Sequence, residues 1–482
     1  MGGFLDLVSP RSAQEAQTHP TGSFTKRTSG GKKNRRQRRR KSASKKRSST
    51  TCQPKSSNST TTDGGGDTSG NKNSTTTSGN STTVPSAGTG SKNTTAPISS
   101  GSDKNATTSS SNSTSAKSEQ GQILGGYWPN WTASKVPPES IDWDHFDYMN
   151  YAFAIPKSDS TVSFDGDKTL LTRLVKSAHG AKSPSKVVLS VGGWGNSAGF
   201  SGAVASDSSR KKFVQTFVDL QKQYNLDGFD FDWEYPNNVQ NGRRASSDGQ
   251  DTTNFQTFLQ QLRAALPAGQ MITAAVPQTV WLGSNGQPVG SVARAGDALD
   301  YIVIMNYDVN GASSTPGPNA PLANLCGNSS QPTASAAAGV KQWTAAGMPR
   351  KKILLGVPAY GYVQNSSKLR LKGRSLKNSE GTTANGQVNF NLLVEQGALK
   401  KGSDGLFDGA NGWTKYWDDC SDTPYLANGQ QVVTYDDTSS MRDKAAFSKL
   451  AGIAGVNMWS IDGDTKDGDL RNALLQGFQV NS

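Results

Sequence analysis

From Gln122 onward, short apolar runs rich in β-branched and aromatic residues recur along the chain, separated by helix-length amphipathic stretches. Eight runs stand out, at 123–128, 148–155, 186–191, 228–233, 271–276, 301–307, 352–357 and 455–459. Near-continuous apolar runs of this length suit strands buried on both faces. The stretches between them, such as 209–224 and 253–266, carry apolar residues at helical spacing. Strands alternating with helices argue for an α/β fold with a parallel sheet, and eight units within 121–482 fit a (β/α)8 TIM barrel. A doubly wound open sheet is the alternative. It would want a Gly-rich phosphate loop after its first strand, which Gly125-Gly126-Tyr127-Trp128-Pro129 is not. The longest interruption, about 361–450, falls between strands seven and eight. It opens Gly-, Asn- and Lys-rich, then carries Trp413, Trp417, Tyr425 and a strand-like 431–435. It predicts a small α+β insertion beside the C-terminal mouth of the barrel, forming a partial wall and an open cleft rather than a deep tunnel.

Residues 1–120 lack this pattern and divide the chain into a disordered basic tail (1–48), a Ser/Thr-rich disordered linker (49–120) and a folded barrel domain (121–482). The net charge of +13 belongs to the first 120 residues, which hold 19 basic and 6 acidic side chains; the other 362 hold 32 of each. A nucleic-acid-binding body steered by a broad basic field is therefore excluded, and only non-specific contact through the tail is left. The basic clusters between Lys26 and Arg47 read as a solvated arm, a site for a dibasic-cleaving protease, or a nuclear-localisation segment. The linker is about half Ser and Thr and cannot bury enough apolar surface to offset chain entropy. Its six Asn-x-Ser/Thr triplets, at Asn58, Asn73, Asn80, Asn93, Asn105 and Asn112, favour a glycosylated, extracellular or cell-wall stalk. Residues 1–20 show no apolar core behind a basic start, so a secretion signal is expected upstream or behind a misassigned start codon. Three cysteines exclude a disulfide scaffold, an iron–sulfur protein and a multi-Cys zinc site; Cys326 and Cys420 could pair, leaving Cys52 over. No run approaches the length of a membrane span.

The informative chemistry lies in 227–235, Asp-Gly-Phe-Asp-Phe-Asp-Trp-Glu-Tyr. Strand side chains alternate faces, so Asp230, Asp232 and Glu234 share one face and Phe229, Phe231 and Trp233 the other. In a barrel the aromatic face packs under helices and the acids point inward, the last reaching the mouth where barrel active sites lie. Two like charges about 5 Å apart repel by roughly 3 kcal/mol at an effective dielectric near 20. Protons are therefore held near neutral pH, and one acid can donate while a neighbour stays ionised. That is general-acid chemistry on a leaving oxygen. A metal cluster or loop-capping acids would be the structural alternatives, but no His or Cys stands near to complete a metal shell. Neither a metal nor a cofactor is expected. Asp227 has the opposite parity and supports the turn.

At these residues the sequence resembles glycoside hydrolase family 18, the chitinases, and its fungal members most closely. The strand-four signature Asp-x-x-Asp-x-Asp-x-Glu is Asp227, Asp230, Asp232 and Glu234; Ser190-Val191-Gly192-Gly193, Met305-Asn306-Tyr307-Asp308 and Trp459 match the motifs of strands three, six and eight. The resemblance covers about 122–470 and implies a retaining, substrate-assisted hydrolysis of β-1,4-linked N-acetylglucosamine polymers. By that resemblance Glu234 protonates the glycosidic oxygen, Asp232 orients the 2-acetamido group, Asp230 relays charge and Tyr307 binds the acetamido carbonyl. Trp459 forms the sugar floor with Met305 beside it, while Tyr127 and Ser190 adjust Asp230. Phe153, Trp194, Tyr235 and Asp308 line the cleft. Residues two apart on a strand lie roughly 6.6 Å apart, so Asp232 and Glu234 approach from one side and no carboxylate nucleophile faces the acid. Trp128 and Trp281 are expected among further sugar-stacking aromatics, with Trp131, Trp413 and Trp417 as other candidates. An endo-acting, monomeric chitinase is the leading reading. The rivals are an endo-β-N-acetylglucosaminidase acting on N-glycans and a non-catalytic chitin-binding lectin; a lectin of the family would usually lack Glu234.

Overall fold

The computed structural model describes residues 121–164, 166–238, 249–312, 315–364 and 386–480. The basic tail, the linker with its six triplets and Cys52 lie outside the described residues. Eight parallel strands form the centre: β1 (Ile123–Pro129), β2 (Tyr148–Pro156), β3 (Lys186–Gly192), β4 (Gly228–Asp232), β5 (Met271–Val276), β6 (Tyr301–Met305), β7 (Ile353–Pro358) and β8 (Gly455–Trp459). β1 pairs with both β2 and β8, so the sheet closes into a barrel. Each predicted run is a strand to within two residues. β6 stops short of Tyr307 because the chain turns out of the sheet there, with Asp308 in the left-handed region at φ 57°.

The helices bury the apolar faces that the sequence spacing laid out. Ser206 and Ser209 cap the helix Asp207–Tyr224 reciprocally, satisfying otherwise orphaned amides, and Asn225 ends it in a left-handed conformation. Its Phe213, Val214, Phe217 and Leu220 are buried. Against them lies the outward face of β4, where Phe217 meets Phe231 edge-on at 5.1 Å. Just beyond that strand, Phe200 stacks on Trp233 at 5.0 Å. Each such ring contributes about 1.5–3 kcal/mol by leaving water. Trp128 and Trp281, expected on the cleft, pack in this outer layer instead. Alternation along β1 turns Tyr127 inward and so Trp128 outward, where its Nε1 donates to the Val136 carbonyl at 2.8 Å. Trp281 sits edge-on between Phe255 (5.4 Å) and Trp343 (5.2 Å).

The barrel interior is layered by register. Tyr148, Val188, Met271, Val303, Leu354 and Ala454 form an apolar plug near the N-terminal end. Ser190, Asp230 and Thr273 are paired across β3, β4 and β5 one layer higher. Above them Gly192, Asp232 and Ala275 align, so the second acid is flanked by two of the smallest residues.

β7 runs almost directly into an insertion. Its antiparallel sheet takes Gln387–Asn389, Tyr360–Gln364, Val432–Thr434, Thr423–Ala427 and Thr414–Asp418 in that spatial order. A helix (Phe390–Glu395) and a two-stranded ribbon complete it, matching the predicted helix-plus-sheet character. Residues 365–385, where the expected low wall falls, lie outside the described residues. Trp413 is buried and belongs to the core. A Cys326–Cys420 disulfide, Cα atoms 5.1 Å apart, ties the loop after β6 to the insertion. Closing a loop between partners 94 residues apart is worth about 4–5 kcal/mol in a chain-entropy account.

Candidate active site

β4 delivers the acids. Asp230 is fully buried, and its carboxylate accepts three hydrogen bonds, from Tyr127 Oη (2.9 Å), Ser190 Oγ (2.7 Å) and Thr273 Oγ1 (2.7 Å). Burial raises its pKa and the three donors oppose that rise. Asp232, one layer nearer the mouth, is held well above the usual carboxylate range by burial and by the neighbouring charges of Glu234 and Asp230. Among the described residues its Oδ1 is buried and has no hydrogen-bond partner. Glu234 follows the end of β4 and is partly exposed. Burial is the main reason its pKa is pushed up to about 8; Asp308 adds to the rise and a hydrogen bond from Tyr235 opposes it. At neutral pH it is therefore a protonated acid at the rim.

The Gly pair at the end of β3 makes the acids' backbone position possible. A Cβ on Gly192 would lie 2.2 Å from the Asp232 carbonyl oxygen, and Gly192 has φ 108°. Only glycine tolerates both. The Gly193 amide donates to the same carbonyl at 2.8 Å. Ser197 Oγ accepts from the Glu234 amide at 3.0 Å and lies 3.1 Å from the Asp232 carbonyl, to which it can donate. Ser190-x-Gly-Gly thus supplies both a donor to Asp230 and the close approach that sets Asp232.

Just past the end of β6, two strands along from β4, Tyr307 is half-buried, and its hydroxyl is held neutral by burial and by the nearby carboxylates. Asp308 accepts hydrogen bonds from Tyr360 (2.6 Å) and Tyr362 (2.7 Å), which connect the barrel to the insertion sheet. Trp459, at the end of β8, stacks on Phe153 at 5.6 Å and 23° and meets Tyr127 edge-on at 5.1 Å. Trp131, 63 % exposed, continues the row at 6.2 Å from Phe153. The result is an aromatic path from the buried acids to solvent. Met305 is buried on β6, and Trp194 is exposed on the loop after β3. Asp227 stands at the other end of β4 from the mouth, where it accepts from the Val187 amide (2.8 Å) and pairs with His179 (2.7 Å). Its part is structural. Among the described residues no cluster of three His, Cys, Asp or Glu is arranged to hold a metal ion.

The family model for glycosyl hydrolases family 18 matches residues 123–464, which hold all eight barrel strands and the insertion. The chain belongs to this family. A chitinase-like effector of Moniliophthora roreri is 35 % identical over 380 residues, covering 72 % of this chain and 90 % of the relative. A chitinase of Rhizomucor miehei superposes with a TM-score of 0.63 at 34 % identity, over 74 % of this chain and all of that one. A class V chitinase of tobacco, solved in complex with NAG4, gives 0.60 at 25 % identity over 74 % and 99 %.

Within this family 18 frame, Thr273, Ser197, Tyr360 and Tyr362 are site-supporting residues that sequence reasoning passed over. Thr273 had a signal: it is the single polar residue in the run Met-Ile-Thr-Ala-Ala-Val, at a parity that points inward. Ser197 and the two tyrosines had none, because their partners are fixed only by loop and insertion geometry. Thr273→Val keeps the shape but removes a donor from a buried carboxylate, which costs about 1–3 kcal/mol. The variant is expected to unfold at a lower temperature and to lose about tenfold in kcat, or ~1.4 kcal/mol. Calorimetry and initial rates on a chromogenic oligomer check both.

Proposed function

We propose that this chain hydrolyses β-1,4 linkages of chitin and N-acetylglucosamine oligomers in an endo-acting, retaining reaction assisted by the substrate. The observation that carries the reading is a buried Asp232 oxygen without a hydrogen-bond partner among the described residues, two positions before Glu234, whose pKa burial pushes up to about 8. Glu234 gives its proton to the bridging oxygen, and the C1–O bond breaks as the sugar's own acetamido oxygen closes on C1. The acetamido N–H is the natural donor to Asp232 Oδ1, and the carboxylate charge stabilises the oxazolinium ion so formed. The Tyr307 hydroxyl, kept neutral, donates to the acetamido oxygen. The Glu234 carboxylate then takes a proton from a water that opens the ion at C1, restoring the acid. Two displacements at C1 return the original configuration. The row Trp459–Phe153–Trp131 offers faces for successive sugar rings.

The word effector in the fungal relative's name raises a second reading, a binding protein without turnover. The protonated Glu234 at the rim favours hydrolysis over it. The disulfide supports an oxidising, extracellular setting. Rapid anomer analysis of chito-hexaose products is expected to show β-anomers first, with internal cuts. Initial α-anomers would defeat the substrate-assisted step, and binding without products would favour the second reading. Release of high-mannose glycans from a glycoprotein, with chitin oligomers left intact, would move the substrate to N-glycan cores.

A further inference from the structure

Three asparagines in the barrel and insertion open an Asn-x-Ser/Thr triplet: Asn130, Asn328 and Asn365. Asn365 lies outside the described residues. The structure separates the other two. Asn130 Nδ2 donates to Tyr151 Oη at 3.3 Å, and its triplet hydroxyl, Thr132 Oγ1, is buried and donates to the Pro129 carbonyl at 2.7 Å. A glycan there would have to displace packed groups beside Trp131. Asn328 is exposed, as are Ser329 and Ser330, in the loop between β6 and the helix Ala336–Ala345. Among the described residues its amide makes no hydrogen bond. It opens onto a polar cavity of about 800 Å³, lined also by Asn310, Asn324 and Asp418. Two residues before it stands Cys326, whose bond to Cys420 forms in the oxidising compartments where such triplets are also modified.

We propose that Asn328 is an N-glycosylation site of the catalytic domain. In the transfer, Asn328 Nδ2 bonds to C1 of an oligosaccharide carried on a lipid diphosphate. The C1–O bond to the diphosphate breaks, the lipid diphosphate leaves, and the amide loses one proton. The transfer precedes folding, so the folded surface acts as a filter: a chain modified at Asn328 closes its barrel without clash. The glycan then stands over Leu325, 71 % exposed, and over the disulfide that joins the β6 loop to the insertion. It thereby screens an apolar residue and a reducible bond. The proposal rests on the extracellular reading and not on the chemistry of the acids.

The test is the full chain secreted from a eukaryotic host behind an added signal sequence. Occupancy is read by enzymatic deglycosylation in heavy-oxygen water and peptide mass spectrometry. Asn328 is expected to be occupied in most molecules and Asn130 bare. Ser330→Ala should abolish the modification, Ser330→Thr should keep or raise it, and Asn328→Gln should leave turnover unchanged. A bare Asn328 in secreted, folded protein overturns the proposal whether or not the linker triplets are occupied. Occupancy that survives Ser330→Ala overturns it as well. Chitin turnover measured on the same preparations reports separately on the activity.

Discussion

Glu234→Gln is expected to lose at least about 10³-fold in kcat while oligomer affinity stays within a few-fold, because the change removes one proton and hardly any volume. Turnover by mass spectrometry and binding by calorimetry on the same variant read the two effects separately. A variant that still turns over at near wild-type rate would assign the proton to another group. The pH profile carries the same information. The acid is needed protonated and its pKa is pushed up to about 8, so kcat/KM should hold through neutrality and fall tenfold per unit above about pH 8. The linkage to stability has the matching sign. A carboxyl whose folded pKa is raised favours the folded state most at low pH, and that contribution is lost as pH rises from its ordinary value through about 8. Glu234→Gln should therefore unfold at a higher temperature than wild type at pH 8, with the gain shrinking toward pH 4.

Asp232→Asn is expected to cost about 10²–10³-fold in kcat, the range seen when one preorganised charge or dipole is taken from a developing ion. It keeps the shape between Gly192 and Ala275 but replaces a charge with an amide that can face the acetamido N–H with the wrong group. The loss should be far smaller on a substrate whose leaving group needs no internal nucleophile. An unchanged rate on chito-oligomers would remove substrate assistance from the account. In the resting enzyme the variant should be more stable at neutral pH, since burial and neighbouring charges oppose ionisation of the native carboxyl.

The barrel was legible because its strands are buried on both faces, which writes them as unbroken apolar runs. The acids were legible because a strand's period of two sorts 227–235 into an acidic and an aromatic face without further information. The tryptophans were harder. Trp128 and Trp281 lie beside strand ends as Trp131 does, and composition cannot tell a ring that packs under helices from one that meets solvent. Parity in β1 would have decided Trp128, since Tyr127 already claimed the inward side. The support around Asp308 depends on two tyrosines brought from the insertion, more than fifty residues further on, and no local pattern encodes that meeting.

The strand that closes the barrel is also the last of its eight to leave the ribosome. β1 finds one neighbour within some thirty residues but must wait for β8, over three hundred later, for the other. Until then the nascent polypeptide carries two raw sheet edges, the kind of surface that recruits chaperones or sticks to its copies. Trp459 arrives on that final strand, so a product cut short before it would lack both its seam and the ring that packs on Tyr127 and Phe153, and quality control would meet it as an aggregation hazard rather than as a weak enzyme.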